Sequence, residues 1–134
     1  MKNDAAIKML ESFRRTEAAL LCNYEKSERL LRYINSVSTW VPTEYIESMV
    51  RVAETACEVV RQALYLLDQE KLGASDAFLE TEGKLKTMEC NLEALRGYAS
   101  VGMLALAKLF DILSTMQNII AVVEMAVIGE IAKE

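Results

Sequence analysis

The chain has 134 residues, of which 52% are apolar and 26% are charged, a balance typical of one globular domain. It contains five glycines, one proline and no histidine. So few turn residues argue against a β-sheet, and the missing histidine excludes Ser-His and Cys-His nucleophiles and the usual ligand of catalytic zinc and iron. We therefore expect one all-α domain over residues 1–134 that is not an enzyme and holds no cofactor.

The ionisable residues give a formal net charge of −5, from 15 basic and 20 acidic side chains. This is the wrong sign for a general nucleic-acid binder. The three cysteines form no CxxC pair, so the sequence predicts neither a disulfide framework nor a zinc site. The amino terminus has no apolar segment before its charges, which favours a cytoplasmic protein without a signal peptide.

Helix one is predicted over residues 4–37, where apolar side chains recur at three-and-four spacing. Glu17 interrupts the inward stripe, and we expect it to pair with a lysine or arginine of a neighbouring helix or to reach a solvated end, with a buried acid or a relay for a bound cation as the alternative. On the opposite face lie Lys8, Arg15 and Arg29, separated by multiples of seven residues. Two interpretations of these basic residues stay open. They form a face for RNA or an acidic partner, or they are a solvated face, which the acidic residues between them favour.

Helix two is predicted over residues 42–71, after a connection that contains Trp40 and Pro42. Proline suits the first turn of a helix, and Trp40 is expected to seal the end of the core, with a role in recognition as the alternative. The charged residues of helix two form one narrow stripe. Because a helix packed on one side needs an apolar arc of only about 100°, this helix must contact more than one neighbour.

Helix three is predicted over residues 76–96 and helix four over residues 101–132. Gly97 supplies the stop between them and Ser100 a cap, although the apolar phase continues through Gly97 and one continuous helix is the alternative. From Ile119 onward helix four is apolar all round, which predicts burial all round. Four helices with short connections predict an antiparallel up-down-up-down four-helix bundle.

The apolar end of helix four also predicts a homo-oligomer. Exposed apolar patches larger than roughly a few hundred Å² usually mark interfaces, and a second copy is the common cover. Helix four, with the outer apolar edge of helix two, is expected to form the subunit contact, through Ile119, Val122, Val123, Ala126 and Val127. A membrane span is not expected, because the longest uncharged run, residues 112–123, is shorter than the ~20 residues that a spanning helix needs.

The cysteines lie at similar distances from the predicted turns, which invites a metal-site interpretation. Their helical phases contradict it, since Cys22 and Cys90 fall on outward faces and only Cys57 lies near the core edge. The chain has no Glu-x-x-His pair and no glycine-rich phosphate loop. We therefore expect no metal site and no catalytic residue.

A resemblance to a known family is concentrated in the second half of the chain. It is carried by the run Leu92–Ile120 with its Gly97-Tyr98-x-Ser100, by residues 30–33, and by Pro42 at the start of helix two. These residues resemble a bacterial family of four-helix bundles. The family holds proteins encoded in intervening sequences of large ribosomal RNA genes and the accessory variability determinant of diversity-generating retroelements. The resemblance implies a pentameric barrel of bundles that assists a reverse transcriptase and contacts RNA.

Two functional hypotheses follow. The first is a non-enzymatic, homo-oligomeric accessory protein that binds another protein, which the resemblance implies is a reverse transcriptase of a diversity-generating retroelement. The alternative is a small acidic binding module that sequesters a small ligand or inhibits a single protein target. A reverse-transcriptase gene and a template repeat beside the gene for this chain would favour the first hypothesis.

Overall fold

The computed structural model describes residues 2–37, 44–70, 75–98 and 103–133. These ranges contain no strand and form four helices: α1 (Lys2–Val37), α2 (Glu44–Glu70), α3 (Ser75–Arg96) and α4 (Met103–Lys133). The all-α prediction is confirmed, and each helix begins and ends within two residues of its predicted bounds. The predictions for Trp40, Pro42 and Ser100 concern residues outside the described ranges.

The first and last helices run antiparallel, as cross-helix contacts at two levels show. Near the start of α1, Arg14 pairs with Glu124 of α4. Two to three turns further along α1, the ring of Tyr24 lies 5.6 Å from that of Phe110, which precedes Glu124 in the chain. Contacts between α2 and α3 show the same antiparallel sense. The up-down-up-down bundle is therefore confirmed.

Each helix packs against its two neighbours, and α2 also contacts α4 across the core. This confirms that the second helix contacts more than one neighbour. Aliphatic, methionine and phenylalanine side chains fill the core, and a fully buried side chain of this kind contributes about 1.5–3 kcal/mol. The largest of them are Phe13, Leu20, Met49, Val60, Met88, Leu95, Leu109, Ile112, Met116, Ile119, Val123 and Val127.

The third helix ends at Arg96 and is not continuous with α4. The N–H of Gly97 donates to the carbonyl of Ala94 at 3.1 Å, and the N–H of Tyr98 donates to the carbonyl of Leu95 at 3.2 Å. These i→i−3 bonds tighten the last turn. A Cβ at Gly97 would lie 3.3 Å from the Ala94 oxygen, closer than ordinary contact, so glycine suits this ending. The predicted stop at Gly97 is confirmed.

The carboxyl-terminal half of α4 is buried on one side only. Ile119, Val123 and Val127 are at most 2% exposed in the chain's own core, whereas Met125 and Ile128 are 77% and 64% exposed. Within the single chain this segment is therefore buried on one side, and the covering of its other side by a second copy stays a prediction. An uninterrupted apolar sequence carries no polar mark to show which side of the helix faces inward, and packing against the other helices decides it.

One segment of the described residues, Leu104–Gly129 of α4, is long and apolar enough to cross a membrane by length and composition. The core helix of a soluble bundle has the same character, and α4 packs against α1, α2 and α3. About 39% of the segment is buried inside the bundle. That the chain does not span a membrane stays a prediction.

Candidate interaction surfaces

Three parts of the described surface differ in their chemistry. We call the cleft between α1 and α2 the basic groove, the exposed side of α2 and α3 the ion-pair surface, and the exposed side of α4 the α4 face. Each is defined by its residues in the paragraphs that follow.

The basic groove contains two cavities, of about 440 and 320 Å³, that lie one after the other between the helices. Lys26 of α1 and Arg51 of α2 line the larger cavity, and Lys8 lines the smaller one. None of the described residues that line either cavity is acidic. Among the described residues these three cations have no ion pair, although the whole chain is acidic.

The predicted basic residues of the first helix are only partly brought together. Lys8, Arg15 and Arg29 are all exposed, as expected. Lys8 lines the groove, whereas Arg15 lines a cavity on the side of α1 that meets α4. The sequence analysis missed the contribution of Arg51, because only the packing of α2 against α1 places that residue beside Lys26.

One polar contact crosses the floor of the basic groove. The Asn23 Nδ2 donates to the Ser48 Oγ at 2.9 Å, which ties α1 to α2. The Asn23 Oδ1 is buried and accepts no hydrogen bond from the described residues. Because a buried unsatisfied acceptor costs about 1–3 kcal/mol, this position favours any group that brings a hydrogen-bond donor.

The ion-pair surface repeats the pattern E-x-x-x-E-x-x-R, once in α2 over residues 54–61 and once in α3 over residues 89–96. Since the helices run antiparallel, the two copies face each other with approximate two-fold symmetry. Each arginine pairs with a glutamate of its own helix and with one of the opposite helix: Arg61 with Glu58 (2.9 Å) and Glu89 (3.7 Å), Arg96 with Glu93 (3.2 Å) and Glu54 (2.9 Å). Side-chain hydrogen bonds raise the pKa of Arg96, with the bond to Glu54 the largest cause and the bond to Glu93 the next.

The cysteines occupy the environments that their phases predict. Cys22 and Cys90 are exposed, and Cys57 is buried. Burial raises the pKa of the Cys57 thiol from 9.0 to about 11, so this thiol is neutral and unreactive near neutral pH. Among the described residues no three or more histidine, cysteine, aspartate or glutamate side chains are grouped to hold a metal ion.

In the part of the chain that the structure describes, Glu17, on the inward stripe of α1, pairs with a residue of its own helix and not with one of a neighbouring helix. The Glu17 carboxylate is half-buried and lies 3.5 Å from Arg14 of the same helix. Arg14 in turn pairs with Glu124 of α4. The neighbouring helix therefore contributes a second acid, and the shared arginine joins α1 to α4.

The α4 face is almost free of charge. Among the α4 residues whose exposure the structure describes, ten are exposed and only Asp111 of these is charged, whereas nine of the fifteen exposed residues described in α1 are charged. The exposed α4 residues are Leu104, Ala107, Phe110, Asp111, Gln117, Asn118, Ala121, Met125, Ile128 and Gly129. The solvent-exposed face of a helix usually carries many charged side chains, and the α4 face carries few.

The predicted subunit contact needs correction at residue level. Ile119, Val123 and Val127 fill the core of their own chain, so their side chains are unavailable to a second copy. Val122 and Ala126 are half-buried. Among the described residues of the same segment, the large apolar side chains that are exposed are instead those of Met125 and Ile128, which were not among the predicted contact residues.

No protein-family model, curated protein or solved structure matches the chain. The resemblance to the bacterial four-helix-bundle family therefore stays a prediction that rests on the residues of this chain.

Proposed function

We propose that the chain is a non-enzymatic accessory protein that works as a homo-oligomer and binds another protein. The observation that carries the proposal is the α4 face, where large apolar side chains are exposed to solvent and charged side chains are few. Leu104 and Phe110 are 69% and 50% exposed at one end, and Met125 and Ile128 are 77% and 64% exposed at the other.

A second copy of the chain is the cover that we propose for this face. Burying a side chain of this size contributes about 1.5–3 kcal/mol relative to leaving it exposed, and closed symmetric assemblies are the commonest oligomers. Asp111 is the one charge among the exposed α4 residues that the structure describes, so few ions in this part of the helix lose their hydration when the face is covered.

Sedimentation velocity at micromolar concentration tests the self-association. We expect the natural chain to sediment as an oligomer and the variant Met125→Glu/Ile128→Glu as a monomer with an unchanged helical circular dichroism spectrum. The spectrum is expected to stay because both positions are exposed within the single chain. The control is Tyr65→Glu/Leu79→Glu, which places the same charges at exposed apolar positions of α2 and α3. A natural chain that sediments as a monomer contradicts the proposal.

We propose a reverse transcriptase as the bound protein, and a cytoplasmic location, on the strength of the family resemblance alone. The test is the gene neighbourhood, followed by co-purification of the two proteins after co-expression. A neighbourhood without a reverse-transcriptase gene would remove this partner and leave the proposed self-association intact.

The alternative function, a binding module for a small ligand or a single protein target, is favoured by the basic groove. Its larger cavity falls within the roughly 300–1,000 Å³ of ordinary ligand sites, and Lys26 and Arg51 would select an anionic ligand. Saturable stabilisation of the chain by a small carboxylate or phosphate compound, lost in Arg51→Ala, would support this alternative.

A further inference from the structure

The basic groove has the features of a binding site for a helix of another protein, packed against α1 and α2. We propose that it binds an acidic amphipathic helix of a partner protein, laid lengthwise between α1 and α2. This inference rests on the proposed function, because it names the chemistry of the protein that the chain binds.

The residues at the bottom of the basic groove recur every seven residues on both of the helices that form it. Three small residues of α1, Ala5, Ser12 and Ala19, are spaced by seven, and so are three aliphatic residues of α2, Val52, Val59 and Leu66. The three aliphatic side chains are half-buried and keep an exposed part. A seven-residue repeat keeps a line of side chains facing one partner helix, and small residues let that helix approach closely.

The charges along the groove select the sign of the partner. Lys8, Lys26 and Arg51 line the two cavities, and none of the described residues that line them is acidic; Arg51 also lines an adjoining cavity with Glu47, and Arg29 is exposed one turn beyond Lys26. The remaining polar lining residues include Ser48, Thr55 and Gln62, which are uncharged. Acidic side chains flanking the apolar stripe of the incoming helix would meet these cations.

A protein helix fits this groove better than a nucleic acid does. A phosphate backbone uses cations but gains nothing from an apolar floor, and the net charge of −5 repels it over the rest of the molecule. An amphipathic helix uses both features, since its apolar face covers the floor and its acidic flanks pair with the rim.

The length of the groove sets the length of the partner. From Ala5 to Lys26 the first helix rises by about 32 Å, at ~1.5 Å per residue, so a straight partner helix of about 21 residues covers both cavities.

The test uses a synthetic peptide of about this length, with leucine and alanine on one face and glutamate on the flanks. Binding is measured by fluorescence anisotropy against a lysine-flanked peptide, a scrambled peptide of identical composition, and a single-stranded RNA of similar length. We expect only the acidic amphipathic peptide to bind the natural chain. Arg51→Glu and Lys26→Glu are expected to weaken binding by about tenfold or more, because each reverses a charge in the groove.

Lys86→Glu is the matched control for Lys26→Glu. Lys86 lies on α3, is exposed and has no ion pair among the described residues, so its reversal changes the net charge equally at a distance from the groove. We expect this variant to bind within about twofold of the natural chain. The variant Met125→Glu/Ile128→Glu is expected to keep peptide binding, so the groove and the self-association are tested separately.

Two cysteines of the chain report where the peptide lies. Cys22 lines the larger cavity, and Cys90 is exposed on α3. A saturating amount of the acidic peptide should slow alkylation of Cys22 by about tenfold or more and leave Cys90 unchanged, as followed by mass spectrometry of the separated fragments.

The proposal is overturned by equal binding of the scrambled peptide, by equal losses in Lys26→Glu and Lys86→Glu, or by equal protection of both cysteines. Absence of peptide binding, or RNA binding that depends on Lys26 and Arg51, also overturns it and would assign the groove to another ligand.

Discussion

Cys57 shows how the position of one residue sets its chemistry. The side chain is fully buried below the ion-pair surface, and burial raises the pKa of its thiol to about 11. Glu54, Arg61, Glu89 and Arg96 contribute charges of both signs that partly offset one another. The residue therefore behaves as a small apolar core residue, in contrast to the exposed Cys22 and Cys90.

The raised pKa of Cys57 predicts a loss of stability at alkaline pH. Below pH 9 the thiol is neutral in the folded and unfolded chains. Between pH 9 and about 11 it ionises only in the unfolded chain, so the free energy of unfolding falls over this window. We expect urea titrations at a series of pH values to show a steeper decline for the natural chain than for Cys57→Ala. Equal declines in the two proteins would show that Cys57 ionises alike in both states.

Residue phases on the first three helices were predictable because charges mark the outward side. Phe13 and Leu20 of α1 and Met88 and Leu92 of α3 recur at helical spacing between the charges, and the structure buries all four. Arg51 was not predictable as a groove residue, since its neighbours come from another helix. The half-buried Asn23, which donates a hydrogen bond to Ser48, was not predictable for the same reason.

At the scale of elements, the most regular feature is the repeated E-x-x-x-E-x-x-R of α2 and α3. In each helix the first glutamate of the repeat lies seven residues before the arginine and pairs with the arginine of the opposite helix. Glu54 pairs with Arg96, and Glu89 pairs with Arg61. Exposed pairs of this kind contribute little individually, about 0.2–1 kcal/mol, but their arrangement favours one register of α2 against α3.

A double-mutant cycle tests that register. We expect Glu54→Ala and Arg96→Ala to show a favourable coupling of about 0.5 kcal/mol in the free energy of unfolding, measured by urea titration at low salt. High salt should reduce the coupling, because both side chains are exposed to solvent. Lys86→Ala with Glu54→Ala is the control cycle, in which no coupling is expected. Zero coupling in the first cycle would exclude a contribution of this pair to register.

The predicted helix bounds agree with the structure because glycine, proline and polar residues mark the connections, at Gly97 even though the apolar period continues through it. The orientation of α4 beyond Ile119 was the part that failed. Leu109, Ile112 and Met116 fix the inward line in the first half of this helix, and continuing that line places Val123 and Val127 inside. The outward residues Met125 and Ile128 are apolar, like the inward ones. The sequence therefore does not distinguish the solvent-exposed side of this segment from the buried side.

At the scale of the whole molecule, the four helices present different chemistry in different directions. The cleft of α1 and α2 is lined by unpaired cations, α2 and α3 carry interlocked ion pairs, and α4 exposes an almost uncharged face. Such a separation suits a protein that meets its own copies with one face and a different molecule with another. The proposed assembly through α4 leaves the basic groove, on the other side of α1, open to a partner.

The two sides of α4 predict opposite outcomes for the same substitution. Val123 is fully buried, so Val123→Asp places an unpaired charge in the core at a cost on the order of 4 kcal/mol or more, and we expect the thermal midpoint to fall by more than about 10 °C. Ile128 is 64% exposed, so Ile128→Asp should keep the helical circular dichroism spectrum of a folded monomer while weakening the assembly.

Thermal melts by circular dichroism, run beside sedimentation of the same samples, measure the two effects independently. A melt of Val123→Asp that matches the natural chain would mean that α4 is rotated from the orientation in which Val123 faces the core. Loss of helix in Ile128→Asp at a concentration where the natural chain is monomeric would place Ile128 in the core instead of on the α4 face. Val123 and Ile128 lie on different sides of α4. The two variants together therefore determine the rotation of α4 about its axis.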